Sequence, residues 1–146
     1  MIVGLKEKLG FWPPDLIKTW KSKNDWIWFH AVSVGEVTAV IPLILKIKEE
    51  KQNYPIMLST TTKAGYELAQ RISKEKGFLA FFFPFDFPHI VKKLLDHAKI
   101  KLFIIVETEI WPNLLSECKK RNIPTLLVNG RLSDKSFRNY HFLRFY

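Results

Sequence analysis

Five short, almost wholly apolar runs, at residues 26–31, 56–59, 78–83, 102–106 and 125–128, narrow the fold of this chain more than any other feature. Between them lie segments with helical patterning at 37–51, 63–76, 88–98 and 112–121. The runs are continuously apolar rather than alternating, as strands buried on both faces require. Strands that alternate with helices predict an α/β domain, a parallel sheet with helices on both faces and right-handed crossovers between strands.

Local punctuation supports this division. Gly35 is expected to open the turn into the first helix. Asp86 is placed to cap the third helix, with Pro88 in its first turn, and Pro112 can start the fourth. Pro42 lies either in an early turn or at a kink. Residues 1–25, with Trp12, Pro13, Pro14 and Trp20 among lysines, read as a lead-in packed on the outside or lying on a membrane surface. The domain proper is then 26–146. Past Val128 the chain turns basic through Arg131, Lys135 and Arg138, then stops on Phe142-Leu143-Arg144-Phe145-Tyr146 without a linker, which suggests that a further domain follows.

Lys and Arg number 23 against 14 Asp and Glu, a net charge of +9 in 146 residues. That excess calls for an anionic partner: a nucleic acid, a phosphorylated small molecule or an acidic membrane. No recognition helix or single-strand stacking motif supports nucleic acid. Cys118 is the single cysteine, so a disulfide framework and a cysteine-rich metal site are both excluded. No apolar run approaches the roughly 18 residues of a membrane span, and the N-terminus lacks the apolar stretch of a signal peptide. An intracellular chain is the expectation.

The chemistry-bearing residues gather where strands end. In open α/β sheets ligands bind outside the carboxyl ends of the strands. Glu36 follows the first run by way of Gly35. It either complements the dipole of the first helix or serves as a general base, kept ionised by that dipole, with Gly35 allowing close backbone approach to a ligand. Glu107 and Glu109 follow the fourth run and share one side if the strand continues. They read as a helix cap and a solvated acid, or as acids that perturb a nearby base or balance developing positive charge. His30 ends a buried run and reads as a structural residue or a catalyst; no metal-ligand spacing accompanies it. Ser59–Gly65 resembles a phosphate cradle in composition but lacks P-loop glycine spacing.

Five motifs occur in order: His30-Ala-Val-Ser-Val-Gly-Glu36, Thr60-Thr-Thr-Lys-Ala-Gly65, Phe83-Pro-Phe-Asp86, Glu107-Thr-Glu-Ile-Trp-Pro-Asn113 and Asn129-Gly-Arg-Leu-Ser-Asp134. In this combination the chain resembles the N-terminal half of the 3-deoxy-D-manno-octulosonic acid (Kdo) transferases, from about Leu9 to Tyr146. The resemblance implies the Rossmann-like N-terminal domain of a two-domain GT-B glycosyltransferase. It implies inverting transfer of Kdo from CMP-Kdo to the lipid A precursor (lipid IVA) at the cytoplasmic face of the bacterial inner membrane, in lipopolysaccharide biosynthesis. No metal or other cofactor is implied. Carried over by motif, Glu36 is the general base and Glu107 stabilises the transition state. Ser33, Gly35, Lys63, Glu109 and Arg131 become candidate acceptor-binding residues. The partners implied are the lipid A precursor, the anionic membrane surface and a CMP-binding C-terminal domain outside this chain; nucleic acid is not among them. Family members often carry an N-terminal hydrophobic anchor, for which this sequence shows no counterpart. The chain alone is therefore expected to bind acceptor without complete turnover. The competing reading is a non-catalytic α/β module that binds anionic lipid or membrane, with both acids structural.

Overall fold

A computed structural model of the chain describes residues 4–106 and 109–128, and the backbone of 143–144. Two helices, α1 (Leu5–Lys8) and α2 (Pro14–Ser22), lead into β1 (Trp26–His30). The α3 (Val34–Glu50), β2 (Ile56–Thr60), α4 (Lys63–Lys76) and β3 (Leu79–Phe82) elements follow. After them come α5 (Pro88–His97), β4 (Ile100–Val106), α6 (Pro112–Lys120) and β5 (Thr125–Val128), and a short β6 (Leu143–Arg144).

The sheet order is β3-β2-β1-β4-β5-β6. The first five strands are parallel, and β6 pairs antiparallel with β5. The fold is thus α/β and Rossmann-like, with an antiparallel edge strand that the expectation of an all-parallel sheet did not include. Strand order reverses between β1 and β4, so the switch point lies beside the carboxyl ends of those two strands.

Alternating side chains explain why the strands read as unbroken apolar runs. Trp26, Trp28, Met57, Phe81, Phe103 and Ile105 enter one core with α2, α5 and α6. Ile27, Phe29, Leu58, Ala80, Ile104 and Val106 enter the other with α3 and α4. Each strand is apolar on both sides because each side meets a helix layer.

The segment before β1 is part of this packing. Trp20 is fully buried and Trp12 nearly so, and their rings meet edge-on at 5.2 Å. Trp20 in turn contacts Phe81 at 5.2 Å. The α1 turn covers the outer edge of β3: the Phe82 amide donates to Glu7 Oε2 at 3.4 Å and the Phe85 amide to the Lys8 carbonyl at 2.8 Å. An exposed strand edge invites pairing with another chain, and this turn occupies it.

Two local expectations, for Gly35 and Asp86, are corrected, and of the two places expected for Pro42 the early turn is ruled out. Gly35 lies inside the first turn of α3, which begins one residue earlier after Ser33, rather than opening the turn. Pro42 sits in the interior of the 17-residue α3, where it withholds one backbone donor from the Thr38 carbonyl. Asp86 does not cap α5, whose N-cap position is Phe87; its carboxylate is turned to α6.

Candidate active site at the carboxyl edge of the sheet

The β1 strand ends at His30, and three residues later Ser33 takes extended backbone geometry (φ −128°, ψ 173°) as the N-cap of α3. Ser33-x-x-Glu36 has the spacing of a capping box. Neither bond of the reciprocal pair forms, and Glu36 reaches one residue further back instead. The Ser33 side chain makes no capping bond, whereas Glu36 Oε2 accepts the backbone N–H of Val32. One carboxylate oxygen is thereby anchored on the loop that leaves β1. The other has no hydrogen-bond partner among the described residues. No lysine or arginine among them pairs with Glu36 either. The side chain is half-buried, and a Cβ added to the neighbouring Gly35 would meet nothing within 4 Å. Open space therefore adjoins the backbone one residue from the carboxylate.

Glu109 follows β4 across the switch point. Loss of solvent around it raises its carboxyl above the usual glutamate range, and the charge of Glu36 pushes in the same direction. The fold thus brings these two acids, one from the first turn of α3 and one from the segment after β4, close enough to influence each other. Glu107 and Arg131 lie outside the described residues.

Lys63 opens α4, exposed, with its ammonium 3.7 Å from Glu67 Oε1 one turn on. Such an exposed pair is weak and leaves the ammonium available to a ligand. The Thr62 hydroxyl caps α4 by accepting the Gly65 amide at 3.1 Å. Gly65 matters for spacing: a Cβ there would lie 2.9 Å from Thr62 Oγ1 and 3.4 Å from the Ser33 carbonyl carbon. The absent side chain lets the first turn of α4 approach the N-cap of α3. Lys8, arriving from α1, donates to the Thr61 carbonyl at 2.9 Å and fixes the same loop from the other side.

His30 is completely buried. It stacks on Phe83 at 3.8 Å, and its Nδ1 lies 3.2 Å from the Ser59 carbonyl and 3.0 Å from Ser59 Oγ. Burial drives its pKa down to about 3, against a smaller opposing effect of the Ser59 hydrogen bond. It is neutral at physiological pH and shielded from solvent, which fits the structural reading of this residue. Cys118 is buried, and desolvation pushes its thiol up to about 12, which leaves it unreactive. Among the described residues no group of three or more His, Cys, Asp or Glu could hold a metal ion, and no helix is long and apolar enough to cross a membrane. Among the described residues, a cavity of about 660 Å³ between Lys23, Asn53, Tyr54 and Phe78 lies at the opposite, amino edge of the sheet, away from both acids.

The family model for 3-deoxy-D-manno-octulosonic acid transferase (kdotransferase) matches residues 4–146. The chain belongs to this family. A bifunctional glycosyltransferase/methyltransferase of Fusobacterium nucleatum is 38% identical over 123 residues, covering 84% of this chain and 19% of that protein. A probable mitochondrial 3-deoxy-D-manno-octulosonic acid transferase of Arabidopsis thaliana is 40% identical over 114 residues, 78% of this chain and 25% of its own length. The Haemophilus influenzae 3-deoxy-D-manno-octulosonic acid transferase is 35% identical, with 78% and 26% coverage. The chain thus spans about a fifth to a quarter of the length of these relatives.

Sequence reasoning missed the contacts of Asp86 with α6, the bond from Lys8 to the Thr61 carbonyl, and the aromatic cluster of His30, Phe83 and Trp111. Asp86 carried a misleading signal, because Pro88 two residues on makes it look like a local cap.

Proposed function

We propose that this chain is the acceptor-side domain of an inverting glycosyltransferase that moves Kdo from CMP-Kdo to the lipid A precursor. The single observation that carries this reading is the Glu36 carboxylate. It is held at the switch point by one backbone N–H, lacks a cationic partner among the described residues, and stands beside open space at Gly35. In the reaction, an acceptor hydroxyl oxygen forms a bond to the anomeric carbon while the bond from that carbon to the CMP phosphate breaks. The electron pair leaves with CMP, and the hydroxyl proton passes to Glu36. A positioned base of this kind contributes roughly 10²–10⁴-fold. Glu107 is assigned to stabilise the transition state, and Ser33, Gly35, Lys63, Glu109 and Arg131 to hold the acceptor. The donor falls to a C-terminal domain outside this chain, and the reading requires no cofactor.

The surface beside the site supports a lipid acceptor at the cytoplasmic face of an anionic inner membrane. Leu9, Phe11, Phe85 and Phe87 are exposed apolar side chains. The bond from Phe85 N–H to the Lys8 carbonyl brings the two segments together, and the Phe85 and Phe87 rings lie 6.1 Å apart. Lys93 stands 5.8 Å over the Phe11 ring, and Lys6 and Lys92 are exposed nearby in sequence. Aromatics rimmed by lysines suit an interface with anionic lipid. Vesicle binding tests the acceptor assignment. Binding to anionic vesicles should strengthen when they contain the lipid A precursor, and E36A should leave that gain largely intact. Binding that follows lipid charge alone, indifferent to the phosphorylated disaccharide, would favour the non-catalytic lipid-binding module.

A further inference from the structure

The segment joining β3 to α5 does more than connect them. The β3 strand stands three strand spacings from β4, about 14 Å at roughly 4.8 Å per spacing, with β2 and β1 between. Residues 83–86 cross that distance along the carboxyl edge. The Phe83 amide donates to the Thr60 carbonyl at the end of β2 (2.8 Å). The Phe83 ring lies 3.8 Å from His30 at the end of β1 and 4.6 Å from Trp111 in the loop after β4. Asp86 completes the crossing: Oδ2 accepts the Asn113 amide at 2.9 Å and Oδ1 the Leu114 amide at 2.8 Å. The Asn113 side-chain amide returns a bond to the Asp86 carbonyl at 2.6 Å.

The α6 helix has no local substitute for these bonds. Its N-cap residue is Trp111, which makes no capping hydrogen bond, and Pro112 opens the helix. Helix N-termini leave backbone donors that need acceptors, and here a carboxylate from a distant loop supplies them, with the favourable sign for the helix dipole. The described part of the connection between β4 and α6 is residues 109–111, which lead directly into Pro112. Sheet pairing fixes the last residue of β4 (Val106 opposite Val128). Asp86 fixes the start of α6.

We infer that Asp86 is a positioning residue for the reacting edge: by holding the first turn of α6 it fixes residues 109–111, and with them Glu109, at the carboxyl end of the sheet. The inference rests on the reading of this edge as the acceptor site, but its test is made on the chain itself. The carboxyl titrations of Glu36 and Glu109 are followed by NMR in wild type, D86A and D86N, together with the amide shifts of residues 109–114. In D86A, Glu109 should titrate closer to an ordinary glutamate, as the loop moves from Glu36 and into solvent. D86N keeps one acceptor oxygen and turns an N–H donor toward the other amide, so its shift should fall between the two. D15N, which alters an exposed acid on α2, should leave Glu109 unchanged. A folded D86A or D86N protein in which Glu109 titrates as in wild type overturns the inference; if D86A does not fold, D86N alone decides it. Neither result depends on whether Kdo transfer occurs, so failure here is distinct from failure of the proposed reaction.

Discussion

His30 should make the domain acid-sensitive well above the carboxylate range. In the unfolded chain a histidine takes up its proton near pH 6.5. In the folded protein burial holds His30 neutral down to about pH 3. Between these values the unfolded state binds more protons, so stability is complete above pH 6.5 and declines as pH falls towards 3. The separation is about 3.5 pH units, each worth about 1.36 kcal/mol, which gives about 5 kcal/mol over the whole window. That is comparable to the net stability of many domains. Glu7 and Glu109 act in the opposite sense. Burial raises both carboxyls, so their contributions are present at low pH and lost as pH rises through their folded values. A comparison with H30F isolates the histidine. Phenylalanine keeps a ring against Phe83 and cannot titrate, and Ser59 Oγ still accepts the Trp28 indole N–H at 2.8 Å. Urea midpoints read by tryptophan fluorescence from pH 7.5 to 3.5 should show the stability difference shifting in favour of H30F by about 1.4 kcal/mol per unit below pH 6. Parallel curves for the two proteins, or an NMR titration of His30 near pH 6.5, would refute the reasoning.

Trp20 is fully buried between Trp12 and Phe81, so W20A should cost about 3–5 kcal/mol in chemical denaturation; a loss below about 1 kcal/mol would show that α2 packs independently of the sheet. G65A places a methyl group 2.9 Å from the Thr62 hydroxyl that caps α4, and should lower stability by about 1–2 kcal/mol with amide shifts centred on Ser33 and Thr62. Replacing Phe11 or Phe87 by serine should weaken binding to anionic vesicles about tenfold each, near 1.4 kcal/mol and below the value for complete burial of such a ring; unchanged partitioning would remove this patch from the membrane interface.

The five parallel strands were legible because each is apolar on two faces. Trp26 and Trp28 point to one helix layer and Ile27 and Phe29 to the other, and no polar residue breaks the run. Boundaries shifted where a cap rather than hydrophobicity decides them: α3 starts after Ser33, three residues before the first apolar position that pattern reading selects. The helices of the N-terminal segment were hidden by Pro13 and Pro14, which read as breakers although Pro14 is the first residue of α2. The pairing of β6 with β5 left no trace in a two-residue strand. In the site, Glu36 was legible from its place after a strand and Gly35. Its bond to the Val32 amide was not, because nothing in the spacing distinguishes Val32 from the more usual Ser33 as the donor. Asp86 was misplaced because its partners, Asn113 and Leu114, are 27 and 28 residues away, and sequence adjacency favours a local cap.

The most direct test is Kdo transfer by this domain joined to a matching C-terminal half, with Glu36 replaced by glutamine. The isosteric amide can still accept the Val32 N–H but cannot take a proton from a sugar hydroxyl. Transfer should slow by roughly 10²–10⁴-fold, with acceptor binding close to wild type. Transfer at the wild-type rate by E36Q would contradict the assignment of the base.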